Sequence, residues 1–387
     1  MINRPILSFL TAFLPLLAAA TLIEATAAEW AVNPFSGDDR NDGSLEAPFA
    51  TAQRAVKAAA SGDVIQLLPQ GALYRQSIVL RGKTGIVIEG NGVTLDGSDP
   101  LSEAGWEALN DGLKRLRLPQ TTWNRHLLAF DGRVERMGRT QSSNSAAFPE
   151  PAALQEGQFC FVNDPEDADA GEPAKARGVK HGWLYVRGGV RSLEWSVRPN
   201  GLATSGSNSD IVVRNLNARR FLNDGFNIHG QSTGLKFENI KGYDCFDEGF
   251  SAHDTCEAEI RKGAFWGNEN AIADVNECIT HYWNCEFRDS VSADILLIGK
   301  RHGLTDCRII NTTPATALSA GPRGGPDQAF ELNLTRVTVQ GKRPEPARFR
   351  VNGGVLKMTD CELRNVDFNP TGARLLRVNE RSESDPR

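Results

Sequence analysis

Histidine and carboxylate side chains recur at a regular spacing in the middle of the chain. Residues 223–230 read NDGFNIHG, residues 247–254 read DEGFSAHD and residues 270–277 read NAIADVNE. Imidazole and carboxylate groups that lie within a few ångströms of each other change each other's pKa, and such groups commonly move protons in catalysis. The pattern therefore indicates an acid–base site assembled from equivalent positions of a repeat.

The alternation of apolar and polar residues in these segments predicts short strands with one outward face. The aromatic residue of each of the first two segments is expected to point inward. A step of about 23 residues to the third segment would place Asp274 beside Ser251, and Asn276 beside His253. The residues expected on this face are Asn227, His229, Ser251, His253, Asp274 and Asn276, preceded by Asp224, Asp247 and Glu248 and followed by Asp254 and Glu277.

Proton abstraction from a carbon acid is the first reaction that this face favours. His253 is the candidate base, and His229 is the candidate for a second acid or base. A neighbouring carboxylate orients a histidine and raises its proton affinity. The carboxylates expected to do this are Asp247, Glu248, Asp254 and Asp274, and the candidates for substrate binding are Asn227, Asn276 and Asp254.

The carboxylates also allow other kinds of site. Carboxylates on adjacent turns would be about 5 Å apart, as in a retaining glycosidase, whereas carboxylates two turns apart suit an inverting one. The candidates for such a pair are Asp224, Asp247, Glu248 and Asp274. The oxygens of Asp247, Glu248 and Asp274 could instead bind Ca²⁺, and two histidines with an aspartate could bind zinc. In the simplest interpretation, the Asp-Gly and Asn-Gly pairs only form turns.

Two cations, Lys300 and Arg301, follow one repeat later. They could bind the carboxylate of an acidic substrate, although a short run of charges also fits a solvated surface.

A longer repeat must position these residues. An apolar residue, usually after Asn or Asp, recurs at intervals of 22 to 24 residues, with one interval of 30 and two turns between Ile240 and Cys285. These residues are Leu216, Ile240, Cys285, Cys307, Val337 and Cys361. Short alternating strands at a fixed period predict a parallel β-solenoid whose turns stack about 4.8 Å apart. The preceding polar residues, expected to form a hydrogen-bonded ladder, are Asn215, Asn239, Asn284, Asp306 and Asp360.

The seven cysteines follow the same repeat. Three of them occupy the apolar position of a turn, which predicts small buried residues and not a dense disulfide framework. A bridge between Cys245 and Cys256 remains possible at this stage, and the odd count leaves at least one thiol outside any bridge within the chain.

The N-terminal part agrees with a solenoid. Pro48 begins a helical stretch with an apolar face, and this helix is expected to cap the end of the solenoid. The strands predicted after it are residues 64–68, 77–80, 86–89 and 93–96.

Composition and the first residues predict a soluble exported protein. The 387 residues carry a formal charge of −5 and are 40% hydrophobic, which argues against disorder and against a surface for nucleic acid. Residues 1–28 have a basic start, an apolar run and small residues at the end, as in a cleaved signal peptide. No later segment is long and apolar enough for a membrane span. We therefore expect a secreted or periplasmic monomer.

Residues 100–200 interrupt the period and predict a β-rich insertion. A strand is expected at residues 127–132 and a flexible loop at 164–177. Aromatic residues of the insertion could stack on sugar rings, although burial in its core is the commoner role. They are Trp106, Trp123, Trp183 and Trp195.

The N-terminal segment resembles a known group of proteins. Residues 41–71 contain NDGS, APFAT and GDVIQL, and residues 90–98 read GNGVTLDGS. This order is similar to the entry of secreted right-handed parallel β-helix proteins, which include polysaccharide lyases, glycoside hydrolases and alginate C5-epimerases. The resemblance implies an all-β, right-handed parallel β-helix that acts on a polysaccharide or oligosaccharide.

The segment around His253 also resembles the YGxDPHD motif of alginate C5-epimerases. Gly249, His253 and Asp254 match that motif, whereas Ser251 replaces its first Asp and Ala252 its Pro. The resemblance implies that His253 acts on a proton next to a carboxylate, but the replacements separate the chain from true epimerases.

Three hypotheses follow for the function. The first is a lyase that cleaves an acidic polysaccharide by C5 proton abstraction and β-elimination. The second is a glycoside hydrolase with a carboxylate pair, and the third is a non-catalytic glycan-binding or surface protein. The expected organisation is a signal peptide, an N-terminal cap with the first coils, an insertion, the main β-helix and a tail, at residues 1–28, 29–99, 100–200, 201–370 and 371–387.

Overall fold

The computed structural model describes residues 27–121, 125–130, 132–137, 149–164, 180–324 and 328–378. The chain coils into a parallel β-solenoid with three long sheets, so the all-β solenoid predicted from the repeat is confirmed. The predicted signal peptide (apart from its last residues), Trp123 and most of the predicted loop at 164–177 lie outside the described residues. No helix in the described part is long and apolar enough to cross a membrane.

Each complete turn contributes one strand to each of the three parallel sheets, and the first sheet has two further strands at the ends of the solenoid. The first sheet has eleven strands, Glu29–Val32, Val64–Leu67, Val87–Glu89, Val212–Arg214, Leu235–Glu238, Glu257–Arg261, Ile279–Trp283, Arg301–Thr305, Glu331–Thr335, Val355–Thr359 and Arg374–Val378. The second sheet has nine, Ile78–Arg81, Leu202–Ser205, Phe226–Ile228, Glu248–Ala252, Asn270–Val275, Ala293–Ile298, Thr316–Ala320, Ala347–Val351 and Val366–Asn369. The third sheet has nine, Leu73–Tyr74, Thr94–Asp96, Asn217–Arg219, Lys241–Tyr243, Ala264–Trp266, Glu286–Arg288, Arg308–Asn311, Thr338–Gly341 and Glu362–Arg364. A short pair, Ser207–Ser209 and Gln231–Thr233, lies between the second and first sheets along the chain.

Inward side chains of successive turns fill the interior of the solenoid. Phe226 and Phe250 are paired in register and fully buried, as their alternation predicts. Phe250 packs edge-on against Phe237 of the first sheet, with 5.2 Å between ring centroids. Burial of such a side chain stabilises the fold by about 1.5–3 kcal/mol. One continuous core therefore holds the three sheets together.

The polar ladder exists in part at the corner between the first and third sheets. Asn215 and Asn239 have positive φ values of 55° and 52°, a conformation that Asn tolerates better than most residues. The Nδ2 of Asn239 donates to Oδ1 of Asn215 over 2.7 Å. The side chain of Asp306 has no N–H to donate. Its Oδ2 instead accepts from Nη2 of Arg336 at 2.7 Å. The repeated residue type thus reflects the corner conformation as well as the ladder.

All seven cysteines are free thiols, six of them buried. The bridge considered between Cys245 and Cys256 is therefore not formed. The thiols of Cys307 and Cys361 each donate to a backbone carbonyl of the preceding turn, at 3.4 Å in both cases. A small buried side chain with a weak donor fits this corner, as the repeat predicts.

One α-helix, Ala52–Ala58, is present in the described part of the chain and follows the first strand. Thr51 is its N-cap, and the Thr51 hydroxyl accepts from the backbone N–H of Arg54 at 3.2 Å. Ala52, Ala55 and Val56 are buried in the solenoid core. The predicted apolar face is therefore present, whereas the role of this helix as a cap stays a prediction.

The insertion forms two antiparallel four-stranded sheets. One contains Ser98–Pro100, His126–Phe130, Arg133–Met137 and Glu194–Ser196, and the other contains Glu107–Ala108, Leu113–Thr121, Phe159–Asn163 and Lys180–Arg187. Two 3₁₀ turns, Asn110–Gly112 and Pro151–Ala153, complete it.

The tryptophans of the insertion differ in exposure. Trp195 is 2% exposed and stacks on the ring of His126, so it belongs to the core of the insertion. The guanidinium of Arg115 covers the ring of Trp183, 4.1 Å from its centroid. Trp106 is half-buried and donates to the carbonyl of Ser102 at 3.0 Å. A sugar-stacking role for Trp106 or Trp183 stays a prediction.

Candidate functional site

Three carboxylates converge where two neighbouring strands of the second sheet begin, Phe226–Ile228 and Glu248–Ala252. Asp224, Asp247 and Glu248 each offer an oxygen within 4.8 Å of the other two, and we call them the carboxylate cluster. They are 1%, 4% and 8% exposed, so Glu248 is the most accessible of the three. The sequence predicted these residues beside the site, and the structure brings them together.

The solenoid register explains this convergence. Phe226 pairs with Phe250, which places the residues two positions earlier on neighbouring strands. The backbone N–H of Glu248 consequently donates to Oδ1 of Asp224 at 3.1 Å. Gly249 allows the close packing behind the cluster, because a Cβ there would lie 2.6 Å from the carbonyl oxygen of Gly242.

An arginine from the insertion lies against the cluster. The Nη1 of Arg125 is 2.8 Å from Oδ2 of Asp247, and both side chains are at least nine-tenths buried. The same nitrogen donates to Oδ1 of Asn223. The guanidinium of Arg125 thus places a positive charge directly beside the Asp247 carboxylate, away from water. The sequence analysis missed Arg125, because nothing in the repeat links the insertion to this turn.

The pKa values of Asp224 and Glu248 are both raised above their ordinary values. Burial, with the nearby charge of Asp247, raises the pKa of Asp224 to about 6. Burial and the charges of Asp247 and Asp224 raise the pKa of Glu248 well above its ordinary value. Like charges in a shared buried site cannot all ionise, so Glu248 retains its proton and hydrogen-bonds to the other two carboxylates.

Amide side chains hold the cluster in place. Asn227 donates from Nδ2 to Asp224, and its predicted contact with a substrate stays a prediction. Asn270 of the next turn donates from Nδ2 to Oε1 of Glu248 at 2.8 Å. Asn270 pairs in register with Glu248, a relation that the sequence could have revealed through the repeat.

The two predicted histidines stack at the far end of the same strands. The rings of His229 and His253 are 4.0 Å apart between centroids and 9° from parallel. Nδ1 of His229 lies 3.3 Å from Oδ2 of Asp254, and Nε2 of His253 lies 2.6 Å from Oγ of Ser251. Burial and the neighbouring His229 lower the pKa of His253 to about 4, so this imidazole is neutral at pH 7.

The histidine pair and the carboxylate cluster belong to one outer face. The charge of Asp247 acts on His253, where it slightly opposes the fall of the histidine pKa. Asp254 accepts from the backbone N–H of Gly230 at 2.8 Å, which lowers the pKa of Asp254. The surroundings of the two histidines are therefore acidic.

Asp274 does not lie on this face. The predicted register placed it beside Ser251, but it pairs with Ala252, whose side chain points inward. The step between these turns is 22 residues, one fewer than predicted, and a shift of one residue moves a strand position to the opposite face. The same shift moves Asn276 one position beyond His253, and Asn276 instead accepts a hydrogen bond from Arg323.

The predicted cations Lys300 and Arg301 lie elsewhere. Together with Arg374, they line a groove of about 760 Å³ where the later strands of the first sheet begin. Lys300 donates its backbone N–H to the carbonyl of Cys278, so it continues the corner of the preceding turn. Their proposed contact with a substrate carboxylate stays a prediction.

The oxygens that could hold a cation come from the carboxylate cluster. Ca²⁺ accepts such ligands. Asp274 cannot join them, because it is fully buried on the inner side of the strand. The guanidinium of Arg125 and the retained proton of Glu248 already offset the negative charge of the cluster. The Ca²⁺ site predicted at Asp247, Glu248 and Asp274 is therefore wrong in Asp274, and binding of Ca²⁺ by Asp247 and Glu248, with Asp224 in place of Asp274, stays a prediction.

Comparisons with known proteins support the fold. Neither a protein family nor a curated protein sequence matches this chain. A solved structure described as a glycoside hydrolase is similar at 11% identity and a TM-score of 0.58, over 91% of this chain and 96% of the other. The pectate lyase Pel9A aligns at 10% identity and a TM-score of 0.46, over 89% of this chain and 78% of the other. The first similarity shows a shared fold, as the resemblance in the N-terminal segment predicted.

Proposed function

We propose that this chain is a carbohydrate-active enzyme that hydrolyses a glycosidic bond at the carboxylate cluster. The observation that carries the proposal is the contrast between a carboxyl group with a raised pKa and a neighbouring carboxylate paired with a buried arginine. Glu248 has the raised pKa of a general acid, and Asp247 pairs with Arg125. Two carboxyl groups in different protonation states are what glycoside hydrolysis requires.

The roles follow from these two environments. Glu248, the most exposed member of the cluster, donates its proton to the oxygen of the leaving sugar. Asp247 supplies the negative charge that faces the developing oxocarbenium ion, while Asp224 orients Glu248 by accepting its backbone N–H. The nearest oxygens of the cluster lie within 4.8 Å of one another, which is closer to the roughly 5–5.5 Å separation of a retaining pair than to the roughly 6.5–9.5 Å of an inverting pair. We therefore expect retention of configuration, with Asp247 as nucleophile.

A panel of polysaccharides tests the reaction type. Hydrolysis produces new reducing ends without ultraviolet absorbance, whereas β-elimination also produces an unsaturated, absorbing sugar. Reducing ends alone, with the first-formed anomer of the substrate's own configuration by NMR, are the expected result. Binding without either product would instead support the non-catalytic hypothesis.

The lyase predicted first from the sequence remains the second candidate. It is favoured by His253, whose low pKa keeps a neutral imidazole available as a base, and whose Nε2 is held by Ser251. The acidic neighbour Asp254 weighs against it, because a uronate carboxylate beside these histidines would meet like charge. Absorbance that depends on His253 would favour this second candidate.

A further inference from the structure

The insertion contains a second concave surface, separate from the carboxylate cluster. It is a groove of about 600 Å³, and we call it the basic groove. Its charged side chains are Lys114, Arg133, Arg187, Arg191 and one acid, Glu156. Four positive charges against one negative charge contrast with the net charge of −5 of the whole chain.

The cations of the basic groove lack carboxylate partners among the described residues. Lys114 donates to the carbonyl oxygen of Gly188 at 3.0 Å, and Arg187 donates to that of Asp111. The guanidinium of Arg133 lies over the ring of Phe130, 4.8 Å from its centroid. Carbonyl oxygens and a ring hold these side chains in place without neutralising their charge.

Other arginines of the insertion behave differently. Arg115 forms an ion pair with Glu107 at 2.7 Å, and Arg198 forms one with Asp99 at 2.9 Å. Arg136 of the insertion also donates to backbone carbonyls, those of Cys245 and Gly267 of the solenoid. The basic groove nevertheless gathers four cations without a carboxylate partner among the described residues. Cations fixed by uncharged partners in one concave surface are suited to an anionic ligand.

We propose that the basic groove binds anionic groups of a polysaccharide, either uronate carboxylates or sulfate esters. The inference deepens the proposed function, on which its choice of a glycan ligand rests. A single strand, His126–Phe130, links the two places, because Arg125 before it touches the carboxylate cluster and Phe130 at its end lines the basic groove. Five residues of strand span about 15 Å. The basic groove therefore begins about this distance from the carboxylate cluster, within the reach of one extended glycan chain.

Binding measurements on the full chain test the inference. The probes are polygalacturonate, dextran sulfate, uncharged dextran and a DNA duplex, each titrated at low salt. We expect binding of polygalacturonate, dextran sulfate or both, weakening as salt rises, and no binding of dextran. The double substitution Arg133→Gln and Arg191→Gln should weaken this binding about tenfold, because it removes two exposed cations from the groove. Arg348→Gln is the matched control, since Arg348 is an exposed arginine of the solenoid that also donates to a backbone carbonyl.

Each result has a definite meaning. Preference for polygalacturonate identifies carboxylates as the ligand, and preference for dextran sulfate identifies sulfate esters. Equal losses in the double variant and in Arg348→Gln, binding of neither anionic glycan, or tighter binding of DNA would overturn the inference. The variants keep the carboxylate cluster, and Glu248→Gln should bind anionic glycans normally. Failure of the inference and failure of the proposed hydrolysis are therefore distinguishable.

Discussion

Buried carboxylates occur in two regions of this molecule, on the outer face and inside the solenoid. Burial is the largest cause of the raised pKa of Glu248 in the first region and of Asp274 in the second. Asp274 accepts hydrogen bonds from the hydroxyl of Thr280 at 2.6 Å and from that of Tyr282 at 2.7 Å. Glu248 shares its proton with two other carboxylates. The partners therefore differ although the burial is similar.

The difference lies in what each carboxylate faces. Neutral hydroxyl groups donate to Asp274. The hydrogen bonds continue through Thr280, whose hydroxyl lies 2.7 Å from Nδ1 of the buried His302. This network joins the second sheet to the first sheet and ends at His302, whose Nε2 is buried without a hydrogen-bond partner among the described residues. The cluster instead brings acids together beside one cation, an arrangement that costs stability and supplies a proton donor. A raised pKa alone does not identify a site, whereas the kind of partner does.

Removal of the proposed acid should have the largest effect. Glu248→Gln is expected to reduce kcat about 10²–10⁴-fold, because the amide cannot donate a proton to the leaving oxygen. The thermal unfolding midpoint should stay within a few degrees of the original, since Gln is as neutral as the protonated Glu248 and its amide can still donate to the neighbouring carboxylates. Turnover of a substrate with a good leaving group should recover part of the rate. Undiminished turnover of the polysaccharide would exclude Glu248 as the acid.

Loss of the interior carboxylate should affect stability. Asp274→Ala is expected to lower the free energy of unfolding by about 2–4 kcal/mol, because two buried hydroxyls lose their acceptor. Urea unfolding followed by circular dichroism measures the change. Glu248→Gln under the same conditions is the matched comparison, and an equal loss in both variants would break the distinction between the two regions.

The interior carboxylate should also give stability a dependence on pH. Its pKa in the folded chain is about 6, against 3.8 as the ordinary value, so the folded state holds this proton more tightly than the unfolded state. Protonation of Asp274 therefore contributes fully to the free energy of unfolding below about pH 4. This contribution, about 3 kcal/mol in total, is lost as the pH rises through 6. Asp274→Asn should make this decline smaller. Parallel stability curves of the two proteins between pH 4 and 7 would contradict the assignment.

A smaller effect is expected from the histidine pair. His253→Ala should change the rate of hydrolysis less than about threefold, because in the proposed mechanism no proton passes through this ring. Initial rates on the best substrate of the panel measure the effect. A loss of a hundredfold or more, with an absorbing product, would transfer the chemistry to His253 and support the lyase.

Ca²⁺ should produce the smallest effect. Arg125 and the proton of Glu248 already offset the charge of the cluster, so millimolar Ca²⁺ is expected to raise the unfolding midpoint by less than about 1 °C. Thermal scans with Ca²⁺ and with EDTA measure this difference. A rise of several degrees that disappears in Asp224→Asn would establish a cation site.

The sequence determined much of this arrangement because a solenoid repeats its own geometry. Equivalent positions of successive turns lie next to each other, so the spacing of His229 and His253 was sufficient to predict their stacked rings. The same reasoning predicted the inward Phe226 and Phe250 and the buried cysteines. The repeat also predicted that Asp224 lies close to Glu248, but it did not predict that the two carboxyl groups share a proton.

Tertiary structure decided the remaining features. A turn shortened by one residue moved Asp274 from the outer face to the interior, and a strand pattern with a period of two residues cannot reveal such a change in turn length. Arg125 reaches Asp247 from an insertion outside the repeat, across a separation of 122 residues. Periodicity reports neighbours along the solenoid axis, whereas the charge balance of the cluster depends on a contact that only the packing of the insertion creates.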